Sequence, residues 1–164
     1  MGVNSNNSAQ LGEQINEIIK LILGSQDLLK LLYYDSKDPL SEADISDPHS
    51  LFGQNVFAYP KKPDVQENAI GMVCAYFDRF AKNRENKEVK NGLIIFNVIC
   101  HVDKWLVTGN IRPYLIIHEL ETLFNSRIRS ILSMGRVEFG GWEYKEWNDK
   151  FNGYLMAFKV AQMN

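Results

Sequence analysis

From Leu11 the apolar positions fall at Leu11, Ile15, Ile18, Ile19, Ile22 and Leu23. Spacings of three and four put them on one stripe of a helix. Glu13, Glu17 and Lys20 occupy other faces, and the like-charged Glu13–Glu17 pair adds no stability. Gly24 offers a stop, and Ser25 can cap a second short helix carrying Leu28, Leu29, Leu31 and Leu32. The N-terminal helix is therefore kinked or split at Gly24–Ser25. Residues 1–8, polar and rich in Asn and Ser, read as a frayed start.

The pattern then changes. Between Tyr33 and Pro63 stand Pro39, Pro48, Pro60 and Pro63, together with Asp35, Asp38, Asp44 and Asp47. Prolines at this density exclude long helices and central strands. Yet Leu40, Ile45, Leu51, Phe52, Val56, Phe57 and Tyr59 are scattered among them, and solvated linkers are poor in such residues. The spacing predicts an ordered, extended arm over about 35–65 that packs on its own domain or on a neighbouring subunit.

Strict alternation follows. In Ile70–Phe80, Ile70, Met72, Cys74 and Tyr76 point one way, and Val73, Ala75 and Phe77 the other. Lys82–Asn91 is a charged turn. Leu93–Leu106 is the clearest strand. Its even positions Ile94, Phe96, Val98, Cys100 and Val102 are apolar and form the core face, interrupted only at Lys104. Its odd positions, Leu93, Ile95, Asn97, Ile99, His101, Asp103 and Trp105, are mixed, which suits cover by a helix or by another subunit. Thr108–Asn110 is a turn, with Asn110 the better helix cap and Pro113 fitted to the first helical turn. Ile116, Ile117, Leu120, Leu123 and Phe124 form the stripe of a helix over Arg112–Phe124. Ser126–Met134 extends this helix or forms a second one. Arg136–Tyr144 reads as a further strand. Trp142, Tyr144, Trp147 and Phe151 make an aromatic-rich loop, and Tyr154, Met156, Phe158 and Val160 line one face of a closing strand.

The elements predict one α+β domain spanning residues 1–164. Its antiparallel sheet has about four strands, flanked by an N-terminal and a central helix and crossed by the Pro-rich extended segment. At 164 residues the chain is long enough for a sizeable core. A net charge of −2 supplies no global basic field, so tight nucleic-acid binding has no support in the bulk charge. The cysteines, Cys74 and Cys100, fall inside apolar strands and read as buried reduced thiols. The first ten residues lack the basic start and apolar run of a signal peptide. Asn6 stands where a myristoylation signal wants Ser or Thr. No apolar run reaches the ~20 residues of a membrane span. The expectation is an intracellular protein with no membrane partner.

Candidate chemistry is sparse. His101, Asp103, His118 and Glu119 are the cluster from which a metal-dependent hydrolase could be built. On a strand, His101 and Asp103 would share a face about 7 Å apart. Adjacent His118 and Glu119 on a helix diverge by roughly 100° and rarely share a metal. HExxH is absent, because Thr122 stands four residues after His118. Cys100 and His101 face opposite ways and cannot form a nucleophile–base pair. No phosphate-binding glycine motif occurs. No catalytic, cofactor-binding or metal-ligating set is assigned, and the chain is read as a non-enzyme without cofactors. The turn Lys82–Lys90, with four basic and two acidic residues, is either a solvated loop or a protruding contact. Arg127, Arg129 and Arg136 read as favourable charge near a helix C-terminus. The aromatic stretch is either a loop packed over the sheet or an interface.

The order helix, extended segment, strand, charged turn, long strand, helix, irregular segment and terminal strand resembles the tail terminator, or tail-to-head joining, proteins of long-tailed bacteriophages. The residues that carry the resemblance are NGLIIFNVICHVDKW (Asn91–Trp105), IRPYLIIHELETLFN (Ile111–Asn125) and FNGYLMAFKV (Phe151–Val160). The resemblance implies a homo-oligomer, usually a hexameric ring, at the head–tail junction of the virion, made in the host cytoplasm. Such a ring caps the last ring of tail-tube protein, joins it to the neck or connector proteins, and lets DNA pass without specific binding. The expected contact residues are Arg84, Lys87, Glu88 and Lys90 in the charged turn, Phe52 and Phe57 in the extended segment, and Trp142 and Trp147 in the aromatic stretch. Two other readings remain open. One is a small protein-binding regulator or inhibitor that dimerises through its N-terminal helix. The other is the metal-dependent hydrolase around His101 and Asp103.

Overall fold

The computed structural model describes residues 8–125 and 136–163. The expectations for residues 1–7 and for Ser126–Met134, including Arg127 and Arg129, lie outside the described residues. The apolar stripe forms helix α1 (Ser8–Leu23), which begins at Ser8 itself, and α2 (Gln26–Tyr33) follows. The split falls at Gly24–Ser25, where the Leu28 N–H reaches the Ser25 hydroxyl at 3.4 Å. Such a cap is worth about 1 kcal/mol.

The Pro/Asp segment is ordered and largely without regular structure. Pro39 and Pro48 each open a short 3-10 turn, Pro39–Ser41 and Pro48–Leu51, as their fixed φ favours. A two-residue strand, β1 (Val56–Phe57), follows. The segment packs inward through Leu51, Val56 and Phe57, and Asp44 pairs with Lys30 of α2 at 2.8 Å.

The long strands are β2 (Gly71–Lys82), β3 (Val89–His101), β6 (Arg136–Glu146) and β7 (Phe151–Met163). The sheet order is β1-β2-β3-β7-β6. The four long strands form the expected antiparallel sheet, and β1 adds a parallel fifth, so the sheet is mixed. Two residues are too few to display an alternation, so the sequence pattern could not announce β1.

Four boundaries differ from the sequence reading. β2 and β3 run on into the charged turn, leaving only residues 83–88 as its loop. β3 stops at His101, and Val102–Lys104 form a 3-10 turn. Leu106 instead belongs to a small hairpin of β4 (Leu106–Val107) and β5 (Asn110–Ile111). That hairpin claims Asn110, so helix α3 (Arg112–Phe124) starts after Ile111 with no side-chain cap and with Pro113 in its first turn. Trp142 and Tyr144 lie in β6, and Phe151 opens β7; the expected aromatic loop shrinks to the turn between them.

The alternation of β3 sorts the core as read. Ile94, Phe96, Val98 and Cys100 join Val73 and Ala75 of β2 and Tyr154, Met156, Phe158 and Val160 of β7 under all three helices. Phe96 stacks on Phe124 of α3 at 4.9 Å and meets Phe158 edge-on at 5.9 Å. No helix covers the opposite face among the described residues. A second, smaller cluster there gathers Phe57, Met72, Cys74, Ile99 and Phe151.

Candidate assembly surfaces

Four regions hold the residues that could act on something outside the fold: the helix-free face, the hairpin tip, and the two edges of the sheet. On the helix-free face the Phe57 cluster seals only one end. Towards the β2–β3 loop no helix covers the face among the described residues, and it holds two shallow depressions of about 740 and 320 Å³. Leu93, Ile95, Leu155 and Ala157 form the floor of the smaller one. Asp78, Arg79, Glu138, Glu143 and Lys159 line the two depressions with charge of both signs.

At the hairpin tip Arg84, Lys87 and Glu88 are exposed, and Lys90 is half-buried opposite Lys82 and Gln162. Phe57 is only 2% exposed and belongs to the second core cluster, so it presents no contact surface. Its buried neighbour position in a proline-rich stretch gives no sequence signal. Trp147 is half-buried over the same cluster, with the Lys145 ammonium 5.3 Å from its ring centre.

Phe52 and Trp142 lie on the surface, at opposite edges of the sheet. Phe52, 49% exposed, stands beside β1 over a groove formed with Ile19 and Leu23 of α1. Trp142, 45% exposed, lies on β6 with Phe139 at 45% and Tyr144 at 51%. All three project on the helix side of the sheet: Phe139 meets Phe158 at 5.5 Å, Trp142 meets Tyr154 at 4.8 Å, and Tyr144 meets Tyr154 at 6.0 Å. Tyr114 of α3 extends this surface and shares a 3.1 Å hydrogen bond with the Tyr154 hydroxyl. The sequence reading grouped Trp142 with Tyr144 and missed Phe139 and Tyr114 as members of the same surface. Phe139 and Trp142 are three apart, which on a regular strand puts them on opposite faces. A bulge at Gly140–Gly141, where Gly141 has φ +111°, restores them to one side. The Gly-Gly pair interrupting an alternation of apolar and charged residues was the available signal.

Other groups serve the fold. The apolar stripe of α1 is consumed inside the subunit: Ile15, Ile18, Ile19, Ile22 and Leu23 are buried, so the stripe offers no dimerisation surface. Arg112, which the sequence offered only as a helix start, is fully buried. Its guanidinium donates to the carbonyls of Lys104 at 2.8 Å, Leu31 at 2.6 Å and Ser36 at 3.0 Å. It thus ties α3, the C-terminal turn of α2 and the start of the Pro/Asp segment together, and its charge suits a helix C-terminus. His101 does not share a strand face with Asp103; its Nδ1 accepts the Asp103 backbone N–H at 3.2 Å across the 3-10 turn. Among the described residues no three His, Cys, Asp or Glu side chains are grouped to hold a metal ion. Burial pushes the thiols of Cys74 and Cys100 up to about 11 and about 12. No helix among the described residues is long and apolar enough to cross a membrane.

These features define a two-layer α+β protein, helices on one face of a mixed sheet, with exposed aromatic side chains at both sheet edges. Residues 25–160 match the YomW family model, and the chain belongs to the YomW family. The name is that of a Bacillus phage-derived protein, and the chain is accordingly a phage-associated protein. No curated protein matches it.

Proposed function

We propose that this chain is a structural protein of a tailed-phage virion. It forms a ring at the head–tail junction, caps the tail tube, joins it to the neck and lines the passage for DNA. The observation that carries the reading is the helix-free sheet face. Four long strands present one side packed under helices and one side that no helix covers among the described residues, as a wall with an inside and an outside would. The second side mixes Asp78, Glu138 and Glu143 with Arg79 and Lys159. A conduit wall of mixed sign lets DNA slide, whereas a strongly basic one would hold its phosphates. The phage association and the resemblance of β3, α3 and β7 to joining proteins support the same reading. A geometric role of this kind requires no active site.

The test is genetic and visual. In a phage carrying a nonsense mutation in the gene for this chain, electron microscopy should find filled heads and detached tails, many of them overlong. Purified protein added to that lysate should restore joined particles. Normal joined particles in the mutant would contradict the reading.

A further inference from the structure

We infer that a second copy of this chain docks edge to edge on the first. The far half of β6 (Val137–Trp142) lies antiparallel beside the open stretch of β2 (Ala75–Lys82) of the next copy, and Tyr144 and Trp142 rest against that copy's Phe52. This names the contact behind the ring proposed above and rests on that reading only for the ring's place in the virion.

Both outer edges of the sheet have open stretches among the described residues. β1 pairs with β2 only at Val73 and Cys74. From Ala75 to Lys82 the outer edge of β2 has no strand partner among the described residues, and neither has the outer edge of β6. Unpaired edges are templates for a further strand.

β2, β3, β7 and β6 alternate in direction, and four is an even number. A copy related by rotation about an axis along the strands therefore sets its β2 antiparallel to the first copy's β6.

Along the strands, Phe77 lies level with Phe139 through Ile94 and Phe158, and Ala75 with Trp142 through Phe96 and Met156. Phe52 lies level with Tyr144 through Val56, Val73, Val98 and Tyr154. Phe52 and Tyr144 also project on the same side of the sheet, the helix side. β1 fills the edge of β2 at Val73 and Cys74, so the neighbour's β6 leaves the ladder after Trp142 and passes outside β1, where Tyr144 meets Phe52 with no shift along the strands.

Charge agrees: the open stretch of β2 carries Arg79 and Lys82 against Asp78, and β6 carries Glu138, Glu143 and Glu146 against Arg136 and Lys145, so a net positive edge meets a net negative one.

A twofold dimer through β6 alone would leave Phe52 and the β2 edge unused. Two different complementary edges fit a heterologous, ring-closing contact instead. Bulges at Arg79 and at Gly140–Gly141 interrupt both ladders, so the aromatic contact carries more of the affinity than backbone pairing.

The test uses Phe52→Cys and Tyr144→Cys with a mild oxidant, the native thiols being buried. Mixed single variants should give a cross-linked pair and no larger species. The double variant should give a ladder ending in a closed ring, and neither single variant should cross-link with itself. Self-linking of either single variant, or no link in the mixture or the double variant up to millimolar protein, overturns the inference. In parallel, Phe52→Lys/Trp142→Lys should keep its circular dichroism while association weakens at least tenfold by sedimentation. A ring that survives this double change refutes the contact and leaves the head–tail reading standing. A ladder whose rings ignore phage tails refutes the head–tail reading and leaves the contact standing.

Discussion

The two faces of the sheet are supplied by alternate residues of the same strands, yet they are finished differently. On the helix face Ile94, Phe96, Val98 and Cys100 lie wholly buried under α1, α2 and α3. On the other face Met72, Cys74 and Ile99 are sealed by Phe57 and Phe151, and beyond them the strands run on past Leu93 to the charged tip with no helix over them among the described residues. The difference teaches where stability ends and contact begins. Changes on the helix face should cost fold, and changes at the tip should cost association without touching the fold.

The largest effect is expected from Phe96→Asp, which puts an unpaired charge between Phe124 and Phe158. The variant should fail to fold. A soluble product with a cooperative melt would show that this face is not the core. Arg112→Met should cost about 3–5 kcal/mol in denaturant unfolding, because three carbonyls lose their charged donor. Arg112→Lys should recover little of it, since an ammonium cannot reproduce the planar fork; full recovery would mean that charge alone holds the three segments. Gly153→Ala tests the sealed end of the sheet, where β7 and β3 are most tightly built. A Cβ there meets the Val98 carbonyl oxygen of β3, a backbone atom that cannot swing aside. About 1–3 kcal/mol should be lost, and an unchanged Tm would mean that the strands relax freely.

Alkaline pH separates the two faces again, because Cys100 lies on one and Cys74 on the other. Burial raises both thiols from the ordinary value of 9.0, to about 12 and about 11. The unfolded chain therefore loses these protons first. Their stabilisation is whole below pH 9 and declines as pH rises towards 11 and 12. Cys74→Ala/Cys100→Ala should flatten that decline in a pH series of unfolding midpoints, and an identical slope would assign it to other groups. The smallest effect on stability is expected from Arg84→Ser/Lys87→Ser/Lys90→Ser, within about 0.5 kcal/mol. Docking to a ring neighbour or to the tail tube should nevertheless weaken. Normal docking would remove the hairpin tip from the contact surfaces.

The legible part of the fold was the part with a single dominant period. The 3.6-residue stripe of α1, the split at Ser25, the even face of β3 and the stripe of α3 follow from alternation and capping alone. The extent of the hairpin did not, because Lys82, Lys90 and Asn91 sit where water reaches both sides of the sheet and no apolar face remains to show a period of two. The odd face of β3 is half apolar, so the pattern left open which face the helices would cover. Arg112 was opaque for another reason: an arginine before a helix-starting proline looks like a surface residue, and its three carbonyl partners are distant in sequence. At the edges, Phe52 and Trp142 were found as surface aromatics, Phe57 was placed outside when it lies inside, and the bulge at Gly140–Gly141 hid the alignment of Phe139 with Trp142.

The most direct measurement is native mass spectrometry of the purified chain, alone and mixed with tails of the phage that encodes it. The account predicts a hexamer, or a monomer that becomes a stoichiometric ring on tails. A stable monomer or dimer that leaves the tails unchanged would contradict it.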